Sequence, residues 1–407
     1  MRVALTDFRW PLDPALAQGR DETTLARALY ATPLRTDPVT GAVVPGLCTA
    51  WHASAGFARW TFTCRGAPAI AATLKRVVRL RASPARLLFA GARIVAPSAS
   101  SLVVELDRPW RRFPYALTAV AAAPQLVPGP FRVVSGSARR VVVRRPGLTI
   151  VFRRLGPRAA VREFSHGRLD EAPVPLGDIV ATSKDSALRG ALRTRTLLGL
   201  DLVLFRGAGP VRDVRSVYWE TANRNDYEEL VPELKGSAAY DLLGRTQQQQ
   251  QPARFRDALK RIPSLPRVQV RIGVLRDPVL RYGAGILYAQ WRDVGLGPVL
   301  VDASVKGVTT DFRRLLALYP QAEALPASIV LNGIGSKALL AAALAATEQR
   351  RPLERLEEEL RSSERVVPIA WVRDARLISP RLDGWRENVL GNVDYGSVSV
   401  RASGKSG

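Results

Sequence analysis

Apolar and polar positions alternate along this chain at two periods, which sort most of it into strands and helices. Residues 2–5 read as a strand, and 22–30 as a short amphipathic helix with Asp21 or Thr23 as cap and Glu22 near its start. Residues 59–64 alternate as a strand. Residues 68–80 read as a helix with Ile70, Leu74, Val77 and Val78 on one side. Strands follow at 88–96 and 101–106, then a helix at 111–119. The run 129–145 reads as a β-hairpin turning at Ser135-Gly136-Ser137, with a strand at 148–152 behind it. A helix at 158–166 and a strand at 172–175 lead to the long apolar stretch 195–206, the pattern of a buried strand. A loop and helix occupy 210–222. The stretch 268–302 is a βαβ unit: strand 268–274, helix 278–294, strand 298–302. Helices are predicted at 310–318, 336–347 and 353–362, with a strand at 328–332 between the first two and another at 366–372. The glutamine run 247–251 reads as a solvated loop, and 402–407 as a disordered or vector-derived tail.

With 407 residues and 47% apolar content, the chain is long enough for two or three domains with buried cores. No run of about 18 apolar residues occurs. The first residues carry no hydrophobic signal core, so the expectation is either a cytoplasmic chain or a trimmed one whose export signal has been removed. Net charge is +24. Such a charge suggests an anionic partner, nucleic acid included. Yet the basic residues are nearly all arginine and are scattered; the densest clusters are Arg139-Arg140 with Arg144-Arg145, and Arg350-Arg351. That scatter fits GC-rich coding better than a nucleic-acid surface. Of the two cysteines, Cys48 and Cys64, one reading makes small core residues. The other makes a disulfide across a hairpin turning near 54–56, worth roughly 3 kcal/mol and implying an oxidising compartment.

One ordered series of segments carries more than any composition. Leu12-Asp13-Pro14 precedes the first helix. Asp37-Pro38, Thr40-Gly41, Val44-Pro45-Gly46-Leu47, Trp51 and the strand from Trp60 to Cys64 then follow in turn. Later come 101–110 (SLVVELDRPW), Gly129-Pro130-Phe131, the run 148–170, Arg276-Asp277-Pro278 with Gly295-Leu296, 338–348, 366–371, and 378–385 ending in Gly384-Trp385. The series resembles the extracellular solute-binding proteins of family 5, the peptide- and nickel-type receptors of ABC importers. Departures are the shortened stretch 65–68, a loosely matching helix from Val214, and a reduced loop at 331–335. That loop lacks the Asp which, in peptide-binding relatives, meets the ligand's amino terminus.

The resemblance implies a mixed α/β, two-lobed fold of the periplasmic binding-protein type II kind, with a hinge of crossing strands. Lobe one takes 1–205 and 370–407, including a β-rich subdomain at 38–118; lobe two takes 206–369. It further implies capture of a small solute or short peptide in a closing cleft, permease subunits as partners, no cofactor, and an extracytoplasmic place. Association with a membrane surface through a removed N-terminal lipid anchor belongs to the same expectation. By position, the ligand-lining candidates are Trp10 and Asp13 after the first strand, Arg276 after strand 268–274, Asn332 and Gly333 in the place of the ligand loop, and Trp371 and Arg373 on the returning strand. Trp219 is a weaker one. The ordinary alternatives are core tryptophans, turn residues and solvated charges. Enzyme readings find little: His52 and His166 are the only histidines, and no metal-ligand or nucleophile motif occurs. Two further alternatives stay open, a polyanion-binding protein and a degenerate receptor without transport.

Overall fold

Two long strands cross the centre of the molecule, and everything else is arranged on either side of them. The computed structural model describes residues 1–121, 129–207, 210–230, 237–244, 252–266, 268–346 and 350–401, so the glutamine run and the tail lie outside the described residues. The chain begins with β1 (Arg2–Leu5) and α1 (Gly19–Leu29). A β-rich subdomain follows: β2 (Leu34–Thr36), β3 (Val43–Pro45), β4 (Cys48–Ala53), β5 (Arg59–Cys64), α2 (Ala67–Arg79), β6 (Arg93–Val95) and β7 (Ser101–Glu105). The hairpin β8 (Arg132–Ser137) and β9 (Arg140–Arg145) comes next, with β10 (Leu148–Arg154), α3 (Pro157–Ser165), β11 (Glu171–Pro173) and α4 (Ile179–Lys184). The first crossing strand is β12 (Leu192–Phe205). Beyond it lie α5 (Arg212–Thr221), α6 (Arg224–Leu230), α7 (Pro252–Arg261), β13 (Val270–Val274), α8 (Pro278–Asp293), β14 (Pro298–Asp302) and β15 (Thr310–Leu316). Then α9 (Ala324–Leu331), α10 (Lys337–Ala345) and α11 (Arg350–Ser362) lead to the returning strand β16 (Val366–Ile378) and the small pair β17 (Leu382–Asp383) and β18 (Ser399–Val400).

A ten-stranded sheet, in the order β14-β13-β15-β12-β16-β11-β1-β10-β9-β8, runs through both halves of the molecule. β12 and β16 pair antiparallel twice: Leu192 to Thr196 against Arg373 to Leu377, and Leu200 to Leu204 against Val366 to Trp371. Between these zones the register slips, and Leu198 turns away to bond Val389 and Ala317 instead. The subdomain sheet, β4-β5-β7-β6, is stapled by the Cys48–Cys64 disulfide across β4 and β5. The bond is the one the disulfide reading of the sequence expected, and both cysteines are also buried in the apolar core.

The subdomain core continues into α9, α10 and α11 of the far half. Trp110 and Tyr319, each 1% exposed, meet with ring centroids 5.6 Å apart. The Arg111 amide donates to the Leu344 carbonyl at 2.9 Å.

Several local expectations are corrected. Residues 310–316 form an inner strand rather than a helix, pairing with β12 on one side and β13 on the other. Residues 324–331 form a helix where a strand was expected at 328–332. α9 is apolar and buried on nearly every side, so it lacks the one-sided period that marks a surface helix. The expected strand at 88–96 is a 3-10 helix at Pro84–Phe89 and then the short β6, and the expected helix at 111–119 is a 3-10 turn at Phe113–Ala119. Neither Asp21 nor Thr23 caps α1. The helix starts earlier, and Glu22 accepts from the Gln18 amide at 2.9 Å instead.

Candidate ligand cleft

A cavity of about 650 Å³ opens where the two halves face each other beside the crossing strands. One wall is the start of α1, at residues 17–27. A second is the 81–88 turn of the subdomain. The third is the end of β15 and the residues after it, with Leu331 and Asn332 from the end of α9; Leu390 and Asn392 close one side. Leu275, just past β13, also lines it, so the cavity sits at the carboxyl ends of β13 and β15, where parallel strands with helical crossovers leave a crevice.

Among the described residues, six arginines line this cavity and no Asp or Glu does. Two are neutralised. Arg20 is clamped between Asp374 and Glu387, and donates to the Gly391 carbonyl at 2.6 Å. Arg314 forks onto Asp201 at 2.8 and 2.9 Å. The other four, Arg27, Arg81, Arg86 and Arg313, make no ion pair among the described residues. Arg27 donates to the Thr118 carbonyl at 2.9 Å, and Arg86 to the Val78 carbonyl at 3.2 Å. Burial lowers the affinity of the Arg27 and Arg313 guanidinium groups for their protons; Arg206 adds to the effect at Arg313. A second cavity, of about 550 Å³, adjoins the first: Arg27 and Asn392 line both. Among the described residues no group of His, Cys, Asp and Glu is arranged to hold a metal ion.

No protein-family model matches the chain, and no curated protein matches it in sequence. Solved structures do match. The Escherichia coli murein tripeptide binding protein MppA aligns over 98% of this chain and 98% of its own, with a TM-score of 0.80 at 17% identity. Haemophilus influenzae OppA, in complex with the peptide RPPGFSPFR, gives 0.76 at 15% over 98% and 99%. Campylobacter jejuni NikZ, in complex with Ni(L-His), gives 0.75 at 12% over 98% and 99%. This is the two-lobed fold of the periplasmic binding proteins. Within that binding-protein fold, the cavity described above lies between the lobes.

The sequence-predicted residues are spread around the binding-protein fold rather than gathered in its cleft. Asn332 lines the cavity; it follows a helix, and its side-chain amide donates to the Ser328 carbonyl at 2.7 Å. Gly333 lies next to it with φ +90°, exposed, in a conformation that favours glycine. Trp10 lies against the β8 backbone at Gly136, where a side chain would collide with its ring. Asp13 is forked by Arg76 at 2.8 and 2.5 Å, tying the stretch before α1 to α2. Trp219 lies under the Arg224 guanidinium, 4.9 Å from its ring centre. Arg276 pairs with Asp302 at 2.6 Å on the outer surface beside the mouth. Trp371 and Arg373 sit on β16 on either side of the register slip, with Trp371 beside Gly244.

The four unpaired cleft arginines were not singled out from the sequence, because they come from three segments far apart in the chain and arginine is scattered throughout it. One signal does point to them: residues 38–104 contain no Asp or Glu, while holding Arg81, Arg86 and six other basic residues. The subdomain wall is therefore cationic throughout.

Proposed function

We propose that this protein is a divergent member of the family-5 solute-binding proteins, capturing a small solute between its lobes and delivering it to the permease of an ABC importer. The observation that carries the reading is the cavity of about 650 Å³ beside the crossing strands, within the roughly 300–1,000 Å³ range of small-molecule sites. The ordered sequence motifs and the shared fold support the family; the relatives named above bind a murein tripeptide, a peptide and a nickel–histidine complex. Lobe one is taken as 1–205 with 370–407, and lobe two as 206–369. The slip in β12–β16 pairing near Leu198 supplies the flexible point between them. The buried disulfide supports an oxidising, extracytoplasmic location, and an N-terminal lipid anchor would hold the receptor at the membrane surface. Ligand shifts such a molecule toward its closed form only through contacts made better there than in the open form.

The test is native mass spectrometry of the purified protein, joined to solution scattering with and without the solute found. A stoichiometric solute whose removal expands the molecule is the expected result. An empty protein whose dimensions no solute changes would sink the proposal.

A further inference from the structure

We propose that the cleft is built for a small polyanion, a solute carrying two or more carboxylate or phosphate groups, held by Arg27, Arg81, Arg86 and Arg313. The inference rests on the receptor reading above and gives that receptor a ligand class. Four guanidinium groups from three distant segments converge on one cavity: Arg27 from α1, Arg81 and Arg86 from the subdomain turn, and Arg313 from β15. None has a carboxylate partner among the described residues, and no carboxylate lines the cavity. Arg20 and Arg314, in the same walls, show the contrast. Each is engaged by acidic side chains outside the cavity lining, Arg20 by Asp374 and Glu387 and Arg314 by Asp201.

Solvation alone accounts for Arg81, which is exposed; Arg27 and Arg313 are half-buried, with no ion-pair partner and only the longer-range attraction of Asp394 and Asp311 respectively. A cation removed from water without a counter-charge is costly, and an anionic ligand would relieve that cost on binding. The guanidinium fork matches carboxylate and phosphate oxygens two at a time, which suits a ligand with several such groups. The acid-free subdomain wall adds no competing charge; in the adjoining cavity Arg65 adds to the cationic lining, while Arg35 there is paired with Asp394 at 3.8 Å. Neutral solutes would leave these donors unpaired, and cationic ones would be repelled, so the site discriminates by charge.

The test is titration calorimetry on the full chain with five probes: citrate, fructose 1,6-bisphosphate, triglutamate, triglutamine and trilysine. Anion binding that weakens with added salt is expected, with triglutamate at least tenfold tighter than triglutamine and no trilysine binding. The citrate and bisphosphate arms separate a carboxylate site from a phosphate site. Arg313→Gln and the exposed Arg81→Gln should each weaken the anion about tenfold to a hundredfold, the range for losing one charge-assisted contact. Circular dichroism of both variants checks that the fold is intact. Triglutamine binding as tightly as triglutamate, or anion binding undiminished in both variants, overturns the inference. If triglutamine binds and compacts the protein, the receptor reading stands while the polyanion assignment falls. If no probe binds, the polyanion assignment falls; if scattering also shows no compaction with any co-purifying solute, the receptor reading falls with it.

Discussion

Replacing Trp110 with alanine should loosen the seam between the β-rich subdomain and the far lobe. The ring is 1% exposed and meets Phe113 and Tyr319 with centroids 5.5 and 5.6 Å apart. Truncating a buried tryptophan costs about 3–5 kcal/mol when neighbours collapse only partly. One feature lowers that figure. The indole N–H of Trp110 is buried with no partner among the described residues, and an unpaired buried donor already costs the folded state about 1–3 kcal/mol. The net loss is therefore placed at the lower end, about 3 kcal/mol. The seam carries its own reporter in the Arg111 amide, which donates across it to Leu344 at 2.9 Å. Hydrogen exchange followed by mass spectrometry over 110–113 should show protection falling about a hundredfold, the equivalent of about 3 kcal/mol. Trp110→Phe keeps an aromatic ring and removes the unpaired N–H, so it should cost less than about 1.5 kcal/mol. If Trp110→Ala leaves protection unchanged, or if phenylalanine is as damaging as alanine, the reasoning about this seam is wrong.

Two further outcomes concern the ion pairs that hold lobe one together. Arg376 is 2% exposed and pairs with Glu171, which also accepts from Trp385 Nε1 at 2.9 Å and Tyr395 Oη at 2.8 Å. Arg376→Met leaves that carboxylate buried without its cation and should cost about 3–5 kcal/mol; a thermal-unfolding shift equivalent to less than about 1 kcal/mol would contradict this. The Arg76 fork holds the Asp13 carboxyl below the ordinary aspartate range. A carboxyl depressed in the folded state stabilises above its unfolded pKa of about 3.9 and loses that contribution as pH falls through the folded value. Both side chains are partly exposed, so Asp13→Asn should cost roughly 0.5–1 kcal/mol at pH 7. Urea melts at neutral pH and near pH 2 should show the difference present in the first and absent in the second.

Where neighbours in sequence decide the outcome, the chain was readable. The βαβ unit at 268–302 alternates cleanly and begins its helix with Asp277, whose side chain accepts from the Leu280 amide at 2.9 Å. The long crossing strands stood out as apolar runs, although pairing extends β12 back to Leu192 and β16 forward to Ile378. β15 and α9 were exchanged because Phe312, Leu315 and Leu316 suit either period, while α9 has no polar face to set one. The cleft was hardest to read, because its walls come from segments some 300 residues apart. Asn332 was placed near it by position; Arg27, Arg81, Arg86 and Arg313 come to line one cavity only when the chain is folded.

The position of β16 also has a consequence for how the molecule is made. It lies between β12 and β11 in the middle of the large sheet, yet it is the last long strand in the chain. A polypeptide synthesised from its amino end can zip β8 to β11 around β1 on one side and β12 to β15 on the other long before residue 366 exists. The two half-sheets then wait, each with an unpaired edge, for one late strand to join them. Leu390 and Asn392, which close the cleft, arrive later still. The cavity is thus completed only once residues 366–392 are made: a ribosome that stops before them leaves two exposed sheet edges and an open wall.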